Sequence, residues 1–293
     1  MPALACLNGE WSAPEDARVS IWDRGFLFGD AVYDVWRIYR GRLWLDDAHL
    51  ERLRRSLHEI EIQGVDLVAL HGRMREAIER SGLDEAILYV QITRGVALRK
   101  HAFPRPPVTP TELIVVLPYD DAPTAVLRQA GVSVISRPDT RWKRCDIKSV
   151  NLLANVLANE AAHAAGAYEA VLVDRDGFVT EATHSSLLWV REGALHGSPE
   201  GNEILPGTTR QHMRSLALDC GLHFHETRVT LDELKAMDEV ILAGTTIEVM
   251  PVTRIDDEAI AHAKPGPVAA RLQASFRNTL DLWLRGASAG QGS

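Results

Sequence analysis

Two different spacings of apolar residues along the chain predict both helices and strands. In one stretch apolar residues recur every three or four positions, at Leu50, Leu53, Leu57 and Ile60. The acidic pair Asp46-Asp47 precedes this stretch and suits the start of a helix, so we predict an amphipathic helix here. A second helix is predicted from about Asp66 to Ser81, because Gly82 follows as a stop signal.

Strands are predicted wherever apolar or β-branched residues form short runs between turn signals. These runs are Val32–Tyr39, Ala86–Thr93, Thr111–Leu117, Val132–Ser136, Tyr168–Asp174, Phe178–Thr180, Leu187–Val190 and Val240–Ala243. Asn8-Gly9 and Asp176-Gly177 are hairpin-turn signals. Further helices are predicted at about Ser149–Ala165, Thr208–Asp219 and about Pro267–Leu284. The sequence therefore predicts an α/β fold of the mixed α+β kind.

A proline-containing acidic segment near the middle of the chain predicts a domain boundary. Its sequence, from Pro118 to Thr124, is typical of a linker. We therefore expect a small N-terminal α/β domain over residues 1–118, a linker over 119–122, and a larger C-terminal domain over 123–293. The last seven residues, 287–293, are small and polar and are expected to be disordered.

Composition and charge exclude several classes of protein. The chain has 293 residues, of which 46% are hydrophobic and 25% charged, as in ordinary folded proteins. A net charge of −8 opposes binding to nucleic acid, which needs a basic surface. Neither a membrane-spanning apolar run nor a signal-peptide pattern is visible, so we expect a cytoplasmic protein. Three widely spaced cysteines predict neither disulfides nor a metal site, and the histidines lack metal-ligand spacing.

Lys148 ends a polar segment and directly precedes an apolar, alanine-rich stretch. A lysine beside packed surface and near other cations is disfavoured as an ammonium ion, which makes its amine available for Schiff-base chemistry. Taken alone, a lysine is more often a solvated surface residue. Glu181 opens a run rich in hydroxyl groups, and it is either a carboxylate partner for a ring nitrogen or an ordinary strand-end glutamate.

Two Gly-Thr-Thr motifs are candidates for a phosphate site. Thr208 and Thr209 follow Gly207 at the start of a predicted helix, and Thr245 and Thr246 follow a predicted strand. Free backbone N–H groups and hydroxyls bind phosphate at such positions, whereas ordinary helix capping is the alternative interpretation.

Arg99 and His101 lie two residues apart in a proline-rich loop, Gly95–Pro110. In an extended loop both side chains project to one side, where they can bind a carboxylate. A basic surface loop is the competing interpretation.

Taken together and in this order, these residues resemble the fold-type IV enzymes that depend on pyridoxal 5′-phosphate (PLP), and specifically the bacterial D-amino-acid aminotransferases. The matching stretches extend through nearly the whole chain. They include Asp23–Asp30, Val32–Asp34, His49–Leu53, Gln91–Gly95, Arg99–His101, Asp146–Ser149, Asn151–Leu153, Tyr168–Ala170, Thr180–Ala182, Ile204–Arg210 and Thr245-Thr246.

The resemblance implies a role for each matched residue. Lys148 is implied to carry PLP as a Schiff base and to move the proton of the substrate, and Glu181 to face the pyridine nitrogen. Tyr33 is implied to line the substrate pocket. The phosphate is implied to be held by Arg52, Thr209 and Thr245 and by the backbone around Thr208 and Thr246.

Arg99 and His101 resemble the substrate-carboxylate site of D-amino-acid aminotransferases. In that family this loop serves the active site of the other subunit, so the resemblance implies a homodimer. It also implies reversible transfer of an amino group from a D-amino acid, such as D-alanine or D-glutamate, to a 2-oxo acid. Branched-chain L-amino-acid or (R)-amine aminotransferases and aminodeoxychorismate lyase are alternatives of the same fold.

Other classes of function have less support in the sequence. A non-catalytic PLP-binding relative is disfavoured because Lys148, Glu181 and both Gly-Thr-Thr motifs are present. A nucleic-acid or scaffold role rests only on the basic run Arg141–Arg144. The chain departs from the family pattern after Glu181, where His184 and Ser186 stand at positions that usually hold a small hydroxyl residue and Asn.

Overall fold

The first of the two sheets is antiparallel throughout and is built from the first 118 residues. The computed structural model describes residues 3–286. The strands of this sheet are β1 (Leu4–Leu7), β2 (Glu10–Ser12), β3 (Ala31–Tyr39), β4 (Arg42–Leu43), β5 (Ala86–Thr93) and β6 (Thr111–Pro118). Their order across the sheet is β2-β1-β6-β5-β3-β4. Leu7 pairs with Glu10, which confirms the hairpin predicted at Asn8-Gly9.

Two helices pack on this sheet and enclose its core. They are α2 (Asp46–Glu59) and α3 (Leu67–Ser81). A 3-10 turn (Pro14–Asp16) and a short helix, α1 (Arg24–Phe28), precede them in the chain. Asp66 caps α3 by accepting hydrogen bonds from two backbone N–H groups, and Gly82 ends it with a left-handed φ of 60°. The buried face of α2 includes Leu53 and Leu57, so the predicted helical period is confirmed.

A short segment from much later in the chain completes the first sheet. Residues Ile147–Asn151 belong to the same compact unit as the chain through Asp120, whereas Asp121–Asp146 and the chain from Leu152 onward form a second unit. The backbone of this segment pairs with the start of β3: Tyr33 N donates to Lys148 O at 3.0 Å, and Val150 N donates to Ala31 O at 3.2 Å. Tertiary pairing with β3 thus fixes the backbone on both sides of Ser149.

The second unit is built on a mixed sheet. Its strands are β7 (Val132–Pro138), β8 (Glu169–Val173), β9 (Val179–Ala182), β10 (Ser186–Arg191), β11 (Ala194–Gly197), β12 (Phe224–Glu226), β13 (Glu239–Gly244), β14 (Glu248–Ile255) and β15 (Glu258–Ala259). The order is β12-β11-β10-β13-β14-β7-β8-β9, with β15 added beside β14. The pairs β7–β8, β7–β14 and β11–β12 are parallel and the others antiparallel.

Helices flank the second sheet. They are α4 (Ala122–Ala130), α5 (Leu153–Ala164), α6 (Thr208–Asp219), α7 (Leu231–Lys235) and α8 (Pro267–Leu284), with a 3-10 turn at Ala261–Ala263. The predicted ranges of α6 and α8 are confirmed. The apolar core of this unit includes Val134, Trp189, Leu242 and Met250, all fully buried.

One predicted helix start was wrong, and one helix was not predicted. The helix predicted from about Ser149 begins at Leu153, because the backbone of Lys148 and Val150 is used in pairing with β3. Helix α4 was not predicted, since Pro123 within it suggested a linker; proline is compatible with the first turn of a helix because no intrahelical bond from its nitrogen is needed there. The domain boundary at 119–122 stays a prediction, and the expected disordered tail, 287–293, lies outside the described residues.

The combination of helices with one antiparallel and one mixed sheet confirms the predicted mixed α/β fold class. No helix within residues 3–286 is both long and apolar enough to cross a membrane. Cys6, Cys145 and Cys220 are free thiols. In the same range, no cluster of three or more His, Cys, Asp or Glu side chains is arranged to hold a metal ion.

Candidate active site

Lys148 and Tyr33 lie together at the point where the late segment joins β3. The Lys148 amide donates to Ser56 Oγ at 3.2 Å, and its carbonyl accepts from the Tyr33 amide, so both backbone polar groups of Lys148 are fixed. The Nζ atom lies 3.5 Å from Tyr33 Oη and 4.5 Å from the centre of the Tyr33 ring. The fold thus brings together two predicted site residues that are 115 positions apart in sequence.

Tyr33 is supported by a second tyrosine, which sequence analysis missed. Its ring stacks on Tyr89 with 5.6 Å between ring centres, and Tyr89 Oη donates to Gln91 Oε1 at 2.6 Å. Burial, and then the nearby Tyr33, raise the pKa of Tyr89 to about 12. Along β5 the fully buried Leu88 and Val90 alternate with Tyr89 and Gln91. This alternation was the available signal that both polar residues face away from the core.

Arg52 is held by a buried carboxylate. Its Nε donates to Asp34 Oδ2 at 2.9 Å and its Nη2 to Asp34 Oδ1 at 2.7 Å, while His49 Nδ1 lies 2.8 Å from the same Oδ1. Burial acts to raise the pKa of Asp34, but the charges and hydrogen bonds of Arg52 and His49 outweigh it and hold the pKa below its ordinary value. Burial lowers the pKa of His49. Asp34 therefore fixes the direction of the Arg52 guanidinium.

Arg99 and His101 are both exposed, yet both side chains reach the ring of Phe28. The Arg99 guanidinium carbon lies 5.2 Å from the ring centre, and the ring centres of Phe28 and His101 are 5.6 Å apart. The structure thus brings this predicted pair together through a residue that sequence analysis did not assign to the site.

In the second unit Glu181 is buried and its carboxylate is bound on both oxygens. Leu205 N donates to each oxygen at 3.2 Å, and Arg141 donates to Oε1 from Nη1. Arg141 also forms an ion pair with Asp139 at 2.7 Å. Burial acts to lower the pKa of Arg141, but its hydrogen bond to Asp139 and the charges of Glu181 and Asp139 prevail and raise it. Arg141 therefore stays a cation and fixes Glu181.

The two Gly-Thr-Thr motifs approach one serine pair. Thr208 and Thr209 are buried at the first two positions of α6, whose N-cap Gly207 supplies no side chain. A β-carbon at Gly207 would lie 2.4 Å from Ser186 Oγ, and one at Gly244 would lie 3.6 Å from Ser185 Oγ. Adjacent serines thus contact the glycine of each motif. Thr245 and Thr246 follow Gly244 and are half-buried.

Glu169 holds the turn that carries these serines. Its Oε1 accepts from the backbone N–H groups of His184 at 2.6 Å and Ser185 at 3.0 Å, and Oε2 accepts from Ser185 Oγ at 2.8 Å. His184 Nδ1 also lies 3.0 Å from Oε1, with half of its side chain exposed. The departure from the family pattern at His184 thus adds a contact to a buried carboxylate.

A known protein family matches most of the chain. Residues 31–255 match the family described as amino-transferase class IV. The chain belongs to this family and is an aminotransferase, which confirms the resemblance seen in the sequence.

The relatives to which the chain is similar include proteins named D-alanine aminotransferase. One, from Staphylococcus aureus (strain N315), is 40% identical over 279 residues, which cover 94% of this chain and 97% of the relative. Another, from Bacillus licheniformis, is 39% identical over 280 residues, covering 93% and 95%.

Solved structures confirm the fold. The Escherichia coli branched-chain amino acid aminotransferase has a TM-score of 0.86 at 24% identity, covering 94% of this chain and 93% of that chain. A hypothetical aminotransferase from Mycobacterium tuberculosis, solved in its PLP-bound form, has a TM-score of 0.81 at 22% identity, covering 94% and 99%.

Each unit, taken by itself, carries donor groups that suit a part of PLP. The first unit offers a primary amine on Lys148 and a fixed guanidinium on Arg52. The second offers a bound carboxylate on Glu181 and the N-terminus of the twelve-residue helix α6. An amine suits an aldehyde, a carboxylate suits a protonated pyridine, and a guanidinium with helix N–H groups suits a phosphate.

Proposed function

We propose that this enzyme transfers the amino group of a D-amino acid, such as D-alanine or D-glutamate, to a 2-oxo acid in two half-reactions, with PLP as its cofactor. The choice of a D-amino acid over a branched-chain L-amino acid rests on Arg99 and His101, which share the Phe28 ring. Relatives named D-alanine aminotransferase, 40% identical over 94% of the chain, support the same choice.

When bound, PLP supplies a protonated ring that withdraws electrons from the amino acid's Cα, so that a proton can leave that atom. Lys148 would attach the cofactor covalently and, once displaced by the substrate amine, take the proton from Cα on Nζ. Tyr33 Oη, 3.5 Å from Nζ, keeps the amine oriented. Glu181 would hold the pyridine N–H.

The remaining groups would position the cofactor and substrate. Arg52, Thr209 and Thr245, with the backbone around Thr208 and Thr246, would hold the phosphate. Arg99 and His101 would bind the substrate carboxylate by charge-assisted hydrogen bonds. Because Arg52 is already held by Asp34, it can bind the phosphate with little further reorganisation.

The half-reaction with a single amino acid tests the function. The purified holoenzyme should absorb visible light through the lysine-bound cofactor. Addition of D-alanine alone should convert that absorption to the pyridoxamine form and release pyruvate stoichiometrically, whereas L-alanine and L-leucine should not. Conversion by L-leucine but not D-alanine would replace this proposal with the branched-chain one, and lack of PLP binding would overturn both.

We also propose that the enzyme acts as a homodimer, because a large apolar surface is exposed on the first unit. Ile21, Phe26 and Leu98 are 67%, 74% and 71% exposed. The segments that carry them are joined, since Asp23 pairs with Val96 and Ala97 N donates to Trp22 O. Contiguous exposed apolar surface marks an interaction site, and the loop with Arg99 continues directly from it.

Sedimentation at micromolar concentration tests the dimer. Phe26→Glu should shift the protein to the monomer mass and reduce activity in proportion. Val68→Glu, a matched change at a residue that is 84% exposed on α3, should leave the dimer intact. A monomeric wild type with full activity would contradict the proposal. A cytoplasmic location stays a prediction, and cell fractionation tests it.

A further inference from the structure

Three cationic or ionisable side chains surround the ring of Phe28 at the end of α1. The guanidinium carbons of Arg24 and Arg99 lie 4.8 and 5.2 Å from the ring centre, and the His101 ring centre lies 5.6 Å away. Arg24 is buried, whereas Arg99 and His101 are exposed on their loop. A guanidinium over an aromatic face is attracted by the ring's negative face, so Phe28 restricts where Arg99 can lie.

Arg24 fixes the main chain of the same loop. Its Nη1 donates to Lys100 O at 2.6 Å and to Ala102 O at 3.4 Å, and its Nη2 donates to His101 O at 3.4 Å. One buried guanidinium therefore binds three consecutive carbonyl groups, those of Lys100, His101 and Ala102. The first of these residues lies between the two proposed carboxylate-binding residues, and the second is one of them. Lysine lacks the planar fork needed to reach all three.

Asp30 in turn fixes Arg24 and joins it to a second arginine. Asp30 Oδ2 accepts from Arg24 Nε at 2.8 Å and from Arg94 Nε at 2.8 Å. The Arg94 guanidinium carbon lies 3.6 Å from the centre of the Phe103 ring. Asp30 thus fixes the two arginines that contact the loop, Arg24 at its carbonyls and Arg94 at the Phe103 ring.

We propose that Phe28 and Arg24 are positioning residues for substrate recognition: Phe28 sets the side chains of Arg99 and His101, and Arg24 sets the loop backbone that carries them. This inference rests on the proposed binding of the substrate carboxylate by Arg99 and His101. A flexible, exposed arginine loses conformational freedom when it binds a carboxylate. Phe28 and Arg24 restrict Arg99 before substrate arrives, so less conformational freedom is lost on binding and the substrate binds more tightly. Neither residue takes part in the chemistry.

A double-mutant cycle tests the action of Phe28 through Arg99. Phe28→Leu should raise KM for D-alanine roughly tenfold and change kcat less than about threefold, because binding and not chemistry is affected. In an Arg99→Ala background the same change should raise KM less than about twofold further, because the side chain that Phe28 positions is gone. Full additivity of the two effects on KM would overturn the proposal.

Conservative and matched variants separate positioning from simple packing. Phe28→Tyr keeps the aromatic face and should restore KM to nearly the wild-type value. Phe178→Leu removes another ring that lies beneath an arginine, with Arg228 4.3 Å from its centre, and should leave KM and kcat unchanged. Equal KM values for Phe28→Leu and Phe28→Tyr would show that the ring face is not what matters and would overturn the proposal.

A measurement that needs no substrate keeps this inference separate from the proposed function. Amide hydrogen exchange in residues 99–103 should rise about tenfold or more in Phe28→Leu and Arg24→Lys, and stay at the wild-type rate in Phe178→Leu. Unchanged exchange in both loop variants would overturn the positioning role even if D-alanine is a good substrate. If exchange rises but the wild-type half-reaction with D-alanine fails, the loop anchoring stands and the substrate assignment falls.

Discussion

Asp34 holds the guanidinium of Arg52 through two hydrogen bonds, from Nε to Oδ2 at 2.9 Å and from Nη2 to Oδ1 at 2.7 Å. Both side chains are buried, so water screens the attraction between their charges only weakly. Asp34 lies on β3 and Arg52 on α2, so the pair also ties the helix to the sheet. A carboxylate that orients the proposed phosphate ligand thus contributes to folding as well.

Asp34→Asn should lower the free energy of unfolding by about 3 kcal/mol, because it leaves a buried guanidinium without its counter-ion. It should also weaken PLP binding roughly tenfold, since Arg52 loses its fixed direction. Denaturant unfolding and equilibrium dialysis measure the two effects. Glu51→Gln is the matched control: it removes an exposed partner of Arg54 on the same helix and should change neither quantity measurably. Equal effects of the two substitutions would contradict this interpretation.

Acid should destabilise the protein partly through Glu169. Burial acts to raise the pKa of this carboxyl, but its hydrogen bonds with His184 and Ser185 and the charge of His184 lower it. As pH falls, Glu169 is therefore protonated at a higher pH in the unfolded chain than in the folded protein. The stabilisation is present above the ordinary pKa of about 4.3 and is lost as pH falls from there through the lower pKa of the folded state.

Glu169→Gln should therefore cost about 2 kcal/mol near neutral pH and give a shallower fall of Tm in acid than the wild type. Tm measured from neutral to acidic pH tests this. Glu160→Gln, at an exposed position on α5, should reproduce the wild-type curve. A variant curve parallel to that of the wild type would show that Glu169 does not contribute to acid sensitivity.

Lys148→Ala should lower kcat by about 10³-fold or more, because it removes the amine proposed to attach the cofactor and to move the Cα proton. The visible absorption of lysine-bound cofactor should disappear, while the circular dichroism of the backbone stays that of the wild type. Lys143→Ala, five residues earlier and exposed, should keep both absorption and turnover. Retained turnover in Lys148→Ala would overturn the assignment of this lysine.

Glu181→Gln should lower kcat about 100-fold with little change in KM, because the neutral amide holds the pyridine proton less well than a carboxylate. Steady-state kinetics with D-alanine and a 2-oxo acid provide the measurement. Glu203→Gln, whose side chain is largely exposed, should show wild-type kinetics. A larger effect on KM than on kcat would point to a role for Glu181 in substrate binding instead.

Arg99→Ala should raise KM for D-alanine about 30-fold, since a charge-assisted hydrogen bond to the substrate carboxylate is lost. Arg105→Ala removes another exposed arginine from the same proline-rich loop and should have little effect. An unchanged KM in Arg99→Ala would return the branched-chain alternative to first place.

The sequence by itself determined the elements that depend on local spacing and capping. The helix after Asp66 ends at the predicted Ser81, and α6 and α8 have the predicted bounds, because apolar period, cap and stop residues all agree there. The ordered motifs also determined the family. Helical period alone does not separate Arg52 from Arg54 on α2, whereas the motif His49–Leu53 does, and the structure shows Arg52 buried and Arg54 exposed.

Only the tertiary structure decided which side chains meet. Pairing with β3 set the backbone around Lys148, placed its amine beside Tyr33 and delayed the start of α5 to Leu153. The partners Asp34, Phe28 and Glu169 were missed for the same physical reason. Each binds residues on another element or turn, and contacts between residues distant in sequence leave no periodic pattern along the chain.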